Sequence, residues 1–222
     1  MDHVDQAIST HLDLSGGTRR SALKAALICT ALAALASTAS AESLLPVRAT
    51  SPIQVVGPAG PTHAWIRFCE SHPYECRVDL SQPARISLNP QVWATLTQVN
   101  ERVNSTILAV TDQDHWGVLD RWDYPDDGLG DCEDIQLLKR KLLVGAGLPQ
   151  RAMRMAAVID ERGQGHAVLM VLTDRGDFIL DKRNAILPWR RTGYAFIKRE
   201  GTNGRSWVAL GDQPAPFSTA NR

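Results

Sequence analysis

Apolar residues follow three patterns in succession: a short run from Ala25 to Ala36 interrupted only by Thr30, helical spacing between 90 and 143, and short β-type blocks after 150. Val92, Leu96, Val99 and Val103 share one face of a helix predicted over 90–104. Asn89 is placed to cap it, and Pro90 suits the first turn, where its missing N–H is not needed. Ile135, Leu138, Leu142 and Leu143 form a second helical stripe, opening after Gly130-Asp131 and stopped by Gly145, Gly147 and Pro149. Between the helices, 111–130 has no period of its own, many carboxylates and three aromatic anchors, Trp116, Trp122 and Tyr124. A structureless loop of that length is usually functional or mobile, and its aromatics imply that it packs. From 153 the period shortens. Met153 to Ile159, His166 to Leu172, Phe178 to Leu180, Tyr194 to Lys198 and Trp207 to Leu210 read as strands, separated by turns at 161–165 and 174–177. Helices followed by consecutive strands predict an α+β domain, a helix packed on a mostly antiparallel sheet.

The early apolar run has a different meaning. Arg19, Arg20 and Lys24 precede it and Ala39-Ser40-Ala41 follows, the arrangement of a signal peptide over 1–41. The run is too short for a bilayer, which takes about 20 apolar residues. Thr18 to Lys24 resembles the twin-arginine export motif, with Ala22 where Phe is usual, so twin-arginine and general secretory routes both stay open. The expected organisation is signal peptide 1–41, extended arm 42–61, one domain over 62–210 and a flexible tail over 211–222. No second apolar segment follows, so a periplasmic protein that is not transmembrane after processing is expected. Lys plus Arg number 24 and Asp plus Glu 24, with no basic block, which argues against nucleic acid or an anionic membrane surface as partner.

Of four cysteines, Cys29 falls in the signal peptide. Cys69 and Cys76 stand close in CESHPYEC, and outside the cytoplasm such a pair is expected to form a disulfide. A metal site there would need more ligands than His72. Cys132 is left over, and an odd thiol in an exported protein is either inert and buried or reactive. It lies in the first turn of the second helix among Gly130, Asp131, Glu133 and Asp134, off the apolar stripe. The unpaired N–H groups and positive dipole end there favour a thiolate. Among His63, His72, His115 and His166, the last opens the strand HAVLMVL. Asp181 ends the following strand after three apolar residues, where a buried carboxylate needs a partner. With a turn over 173–176, Leu172 pairs with Asp177 and Asp181 faces Val168. His166 and Asp181 are then diagonal neighbours, roughly 7–8 Å apart at the backbone. A tighter turn at Arg175-Gly176 would widen the gap by another step. Cys132, His166 and Asp181 make a nucleophile, base and orienter set.

GDCED at 130–134, GHAVLMV at 165–171 and GDFILD at 176–181 resemble the bacterial transglutaminase-like cysteine peptidases, which include periplasmic LapG-type proteases that clip large surface adhesins. WIRFCESHPYECR at 65–77, VNERVN at 99–104 and the D-x-W-x-x-P stretch from Asp120 to Pro125 resemble family segments too, so the likeness covers most of 62–210. The resemblance implies a papain-like core and a Cys132-His166-Asp181 triad. It implies hydrolysis of a peptide bond in a periplasmic or surface protein through an acyl-enzyme, and a membrane-bound regulator as a further partner. In the adhesin-clipping members calcium sits beside the nucleophile on the flanking acids, here Asp131 and Glu133. The composition supports a cation, since Asp123, Asp126, Asp127, Asp131, Glu133 and Asp134 crowd Cys132 in sequence and unscreened carboxylates oppose a thiolate. Acids in a first turn also cap a helix without any metal. The amide of Cys132 offers one oxyanion donor, and the sequence names no second. Two other readings share these residues: protein-glutamine acyl transfer, and a non-catalytic calcium-responsive binding module.

Overall fold

In the computed structural model the described residues are 51–211. The expected signal peptide, the beginning of the arm and all but the first residue of the tail lie outside them. The elements in order are β1 (Val55–Ala59), α1 (His63–Ser71), α2 (Pro90–Thr106), β2 (Leu108–Ala109), α3 (Asp112–Trp116), β3 (Leu129–Gly130) and α4 (Cys132–Gly145). Then come β4 (Met153–Ile159), β5 (Gly165–Thr173), β6 (Gly176–Leu180), β7 (Leu187–Pro188), β8 (Ala195–Glu200) and β9 (Trp207–Leu210). Seven strands form one sheet in the order β1-β9-β8-β4-β5-β6-β7, every neighbouring pair antiparallel. β2 and β3 make a separate two-stranded parallel ladder. The architecture is the expected α+β one, with α2, α4 and the five main strands close to their predicted bounds, whereas α3 and β3 fall in 111–130, which was expected to be a loop without structure of its own. Among the described residues no helix is long and apolar enough to cross a membrane.

Strand alternation explains how the sheet is covered. Met153, Met155, Leu169, Val171, Phe178 and Leu180 point to one face and pack with Trp65, Phe68, Leu96, Leu137 and Leu143 from the helices. Their neighbours Ala156, Val158, Val168, Met170, Leu172 and Ile179 point to the other, where Ile53, Phe196 and Leu210 join them. Both faces of β5 are therefore buried, which is why its sequence is apolar without alternation. Ile53 reaches that second face because its amide donates to the Asp177 carboxylate at 2.9 Å, and β1 follows directly to pair with β9. The later part of the expected arm is thus a sheet edge.

α2 starts as its sequence predicts, with the Asn89 side chain accepting from the Val92 amide at 2.8 Å. α1 was not anticipated. It is nine residues long, capped by the Thr62 hydroxyl on the Trp65 amide, and buries Ala64, Trp65 and Phe68. The disulfide between Cys69 and Cys76 closes the loop after it, with Cα atoms 5.6 Å apart. α4 also differs from a one-sided stripe. It packs on β4 and β5 with α2 against it, so Gln136, Lys139 and Arg140 are buried along with Leu137, while Leu138 and Leu142 are only half-buried. Glu200 of β8 makes this tolerable: its carboxylate pairs with Arg140 at 2.7 Å and accepts from the Met155 amide and the Trp65 indole. One buried acid thereby ties α1, α4 and β4 to the sheet.

Candidate active site

Cys132 is the first residue of α4, pointed at the sheet where β5 begins. Its Sγ accepts from the Ala167 amide at 3.4 Å, and Ala167 is the residue after His166. The β5–β6 hairpin has the expected register, with Thr173 opposite Gly176, Leu172 opposite Asp177 and Leu169 opposite Leu180. That register brings His166 Nε2 to 2.7 Å from Asp181 Oδ1. Three groups donate to the Asp181 carboxylate: His166 and the Lys182 amide to Oδ1, and the Tyr194 hydroxyl, at 2.5 Å, to Oδ2. Burial by itself would raise Asp181, but the His166 hydrogen bond and charge, with the other two donors, outweigh it and hold the carboxyl at about 2. The Asp181 carbonyl is held separately, by Lys139 Nζ at 2.7 Å and Asn104 Nδ2 at 3.0 Å. Cys132, His166 and Asp181 are thus brought to one place, while His115 pairs with Asp127 at 2.9 Å and His72 stacks on Phe68.

The helix start does not by itself produce a reactive thiol. Burial pushes the Cys132 thiol well above its ordinary value, and the Glu133 and Asp131 carboxylates add to this, against the Ala167 amide alone. The thiol donates to Glu133 Oε2 at 3.1 Å. Asp131 occupies the N-cap position without a capping hydrogen bond, and its Oδ1 is buried with no partner. Asp134 accepts from the Asp123 amide at 2.8 Å and also from the backbone N–H of Asp131, the N-cap residue.

The set of acids around the thiol differs from the one its sequence neighbours suggest. Asp123 bonds Arg121 at 2.7 Å and Asp127 pairs with His115, so neither carboxylate joins the cluster. Asp126 does not join it either. Asp112, at the start of α3, and Asp120 in the loop converge instead. Oxygens of Asp112, Asp120 and Glu133 lie within 4.8 Å of one another, as do those of Asp112, Asp131 and Asp134 and the ligand atoms of Asp131, Cys132 and Glu133. Buried among like charges, Asp112 is raised to about 6 and Asp134 to about 8, in each case by burial first and then by the neighbouring carboxylates. Glu133 is also raised well above its ordinary value, by burial and then by Asp131. An orphaned buried oxygen inside a shell of hard oxygen donors suits a hard divalent cation such as calcium. Asp112 carries no local motif and Asp120 only opens the D-x-W-x-x-P stretch, so it is the fold of the loop that brings both in.

Residues 56–215 match the family described as bacterial transglutaminase-like cysteine proteinase. Among solved structures, LapG of Legionella pneumophila is 30% identical, over 55% of this chain and 71% of that one, with a TM-score of 0.47. EGTA-treated LapG of the same organism is 27% identical over 55% and 68% of the two chains, with a TM-score of 0.45. Calcium-bound LapG is 23% identical over 73% and 87%, with a TM-score of 0.46. No curated protein matches the sequence. The family match spans most of the chain, and the chain belongs to the bacterial transglutaminase-like cysteine proteinases, a family of cysteine peptidases.

Proposed function

We propose that this chain is an exported peptidase that hydrolyses a peptide bond of a periplasmic or surface protein, with Cys132 as nucleophile, His166 as base and Asp181 as the residue that orients the base. The observation that carries the reading is the His166–Asp181 pair at 2.7 Å, set beside a helix-start thiol that accepts the next residue's amide. In the reaction Cys132 Sγ gives its proton to His166 and attacks the scissile carbonyl. The C–N bond breaks, the amine leaves with the proton held by His166, and a thioester remains. Water then attacks, activated by His166, and the carboxylate product frees the thiol. Asp181 holds the imidazole in one tautomer through Nε2, which leaves Nδ1 for proton transfer. The amide of Cys132, one of the unpaired donors of a helix start, can serve the oxyanion.

Calcium is assigned to Asp131 and Glu133, with Asp112, Asp120 and Asp134 completing the oxygen donors. When bound, it supplies positive charge that offsets the carboxylates beside the thiol. Export through a signal peptide over 1–41 belongs to the same proposal, as do a catalytic domain over 62–210 and a large surface adhesin as the substrate class. The test is to incubate periplasmic and surface proteins with the wild-type protein and its Cys132→Ala variant and to read new N-termini by mass spectrometry. New termini made equally by both proteins refute the mechanism.

A further inference from the structure

Tyr194 sits where neither the sequence motifs nor the three-residue scheme gives it a part. Its hydroxyl donates to Asp181 Oδ2 at 2.5 Å, the oxygen that His166 does not use. Its ring meets the His166 ring edge-on, with centroids 5.7 Å apart and planes at 77°. One side chain therefore touches both members of the pair. The approach is built into the backbone. Gly193 has φ +80°, a left-handed backbone conformation that favours glycine at this turn. Thr192 Oγ1 accepts from the Tyr194 amide at 3.2 Å, and the Arg183 guanidinium lies 5.4 Å over the phenol ring while bonding Glu161 at 2.9 Å. Other charged groups close to Asp181 are His166, Lys182 and, from α4, Lys139. A cavity of about 10 Å³, room for one water, is lined by Asp181, Arg183, Thr192 and Tyr194.

Building on the peptidase reading above, we infer that Tyr194 is a positioning residue for catalysis, locking the Asp181 carboxylate and shielding the Asp181–His166 hydrogen bond from solvent. A carboxylate held at one oxygen only can rotate about its χ2 torsion. The phenol donor on the second oxygen removes that freedom, and its ring closes the open side of the imidazole. Hydrogen bonds to a charged group of this kind contribute about 1.5 kcal/mol or more, a factor of roughly ten in a rate that depends on them.

The test uses Tyr194→Phe, which keeps the ring and deletes the hydroxyl, in the full chain labelled with ¹⁵N-histidine. Solvent exchange of the His166 Nε2 proton is followed by NMR. The iodoacetamide rate at Cys132 is read at one pH by quantifying the Cys132 peptide. Exchange is expected to quicken at least tenfold and alkylation to slow about tenfold, with an unchanged melting temperature. Wild-type exchange and alkylation in Tyr194→Phe overturn the inference, and a lowered melt with both readouts unchanged does the same. If that variant does not fold, Thr192→Val, which releases the Tyr194 amide and keeps the phenol, is expected to show intermediate changes, and wild-type values there overturn it equally. His166→Ala separates the two readings: wild-type alkylation in it refutes the triad itself, whereas slow alkylation in it beside a wild-type rate in Tyr194→Phe refutes only the role of Tyr194.

Discussion

Lys139 offers a quantitative test of how α4 is held beneath Asp181. It is fully buried, with its Nζ donating to the Asp181 carbonyl at 2.7 Å, and burial lowers it from 10.5 to about 7, against the Asp181 charge and with the Lys182 ammonium assisting. The sign follows from proton counting. Between pH 7 and 10.5 the unfolded chain holds a proton at this lysine that the folded chain has released, so folding stability rises with pH across that window and is flat below it. Each unit corresponds to about 1.4 kcal/mol, and because the folded lysine is half titrated at pH 7 the wild-type protein should gain roughly 2 kcal/mol relative to Lys139→Met between pH 7 and pH 9. The substitution also removes one donor from the Asp181 carbonyl, which keeps Asn104 at 3.0 Å, a constant loss of about 1 kcal/mol at every pH. Urea unfolding of both proteins at pH 6, 7, 8 and 9 measures the difference, in which other titrating groups cancel. A difference that stays constant from pH 7 to 9 would refute the reasoning, since Lys139 would then keep its proton in the folded state.

Three further outcomes are expected. Cys132→Ala and His166→Ala should each abolish cleavage with the circular dichroism unchanged, and Asp181→Asn should lower kcat by roughly 10³–10⁴; cleavage by Cys132→Ala would end the mechanism. Cys69→Ser should lower stability by about 2–3 kcal/mol, as denaturant unfolding would show, and non-reducing peptide mapping should recover Cys69 and Cys76 in one bridged peptide. A chelator should suppress cleavage and calcium restore it better than magnesium, which demands a tight octahedral shell. Asp131→Ala, Glu133→Ala and Asp112→Ala should each weaken calcium binding by calorimetry, and full activity in chelator with no calcium by elemental analysis would leave the acids without that role.

Much of this fold was legible because it rests on short-range rules. The 3.6-residue spacing of Val92, Leu96, Val99 and Val103, with Asn89 before Pro90, suffices for α2, and a four-residue turn between two apolar strands sets the β5–β6 register. That register alone puts His166 beside Asp181, so two members of the candidate triad could be paired without tertiary information. α1 escaped notice because nine residues give only about two and a half turns of periodicity. Lys139 and Arg140 look like a solvent face until the sheet and α2 enclose α4, because local pattern cannot show what packs against a polar side chain. The thiol at the helix start was expected to be favoured as an anion by the dipole, but burial and two adjacent carboxylates outweigh the dipole once the chain is folded. Asp112 and Asp120, within the 111–130 segment and 21 and 13 residues before Glu133, and Tyr194, 62 residues after Cys132, reach the site only through the path of the chain. Local sterics and periodicity shape each element, whereas convergence of distant side chains depends on how the elements pack, and that is a property of the tertiary structure alone.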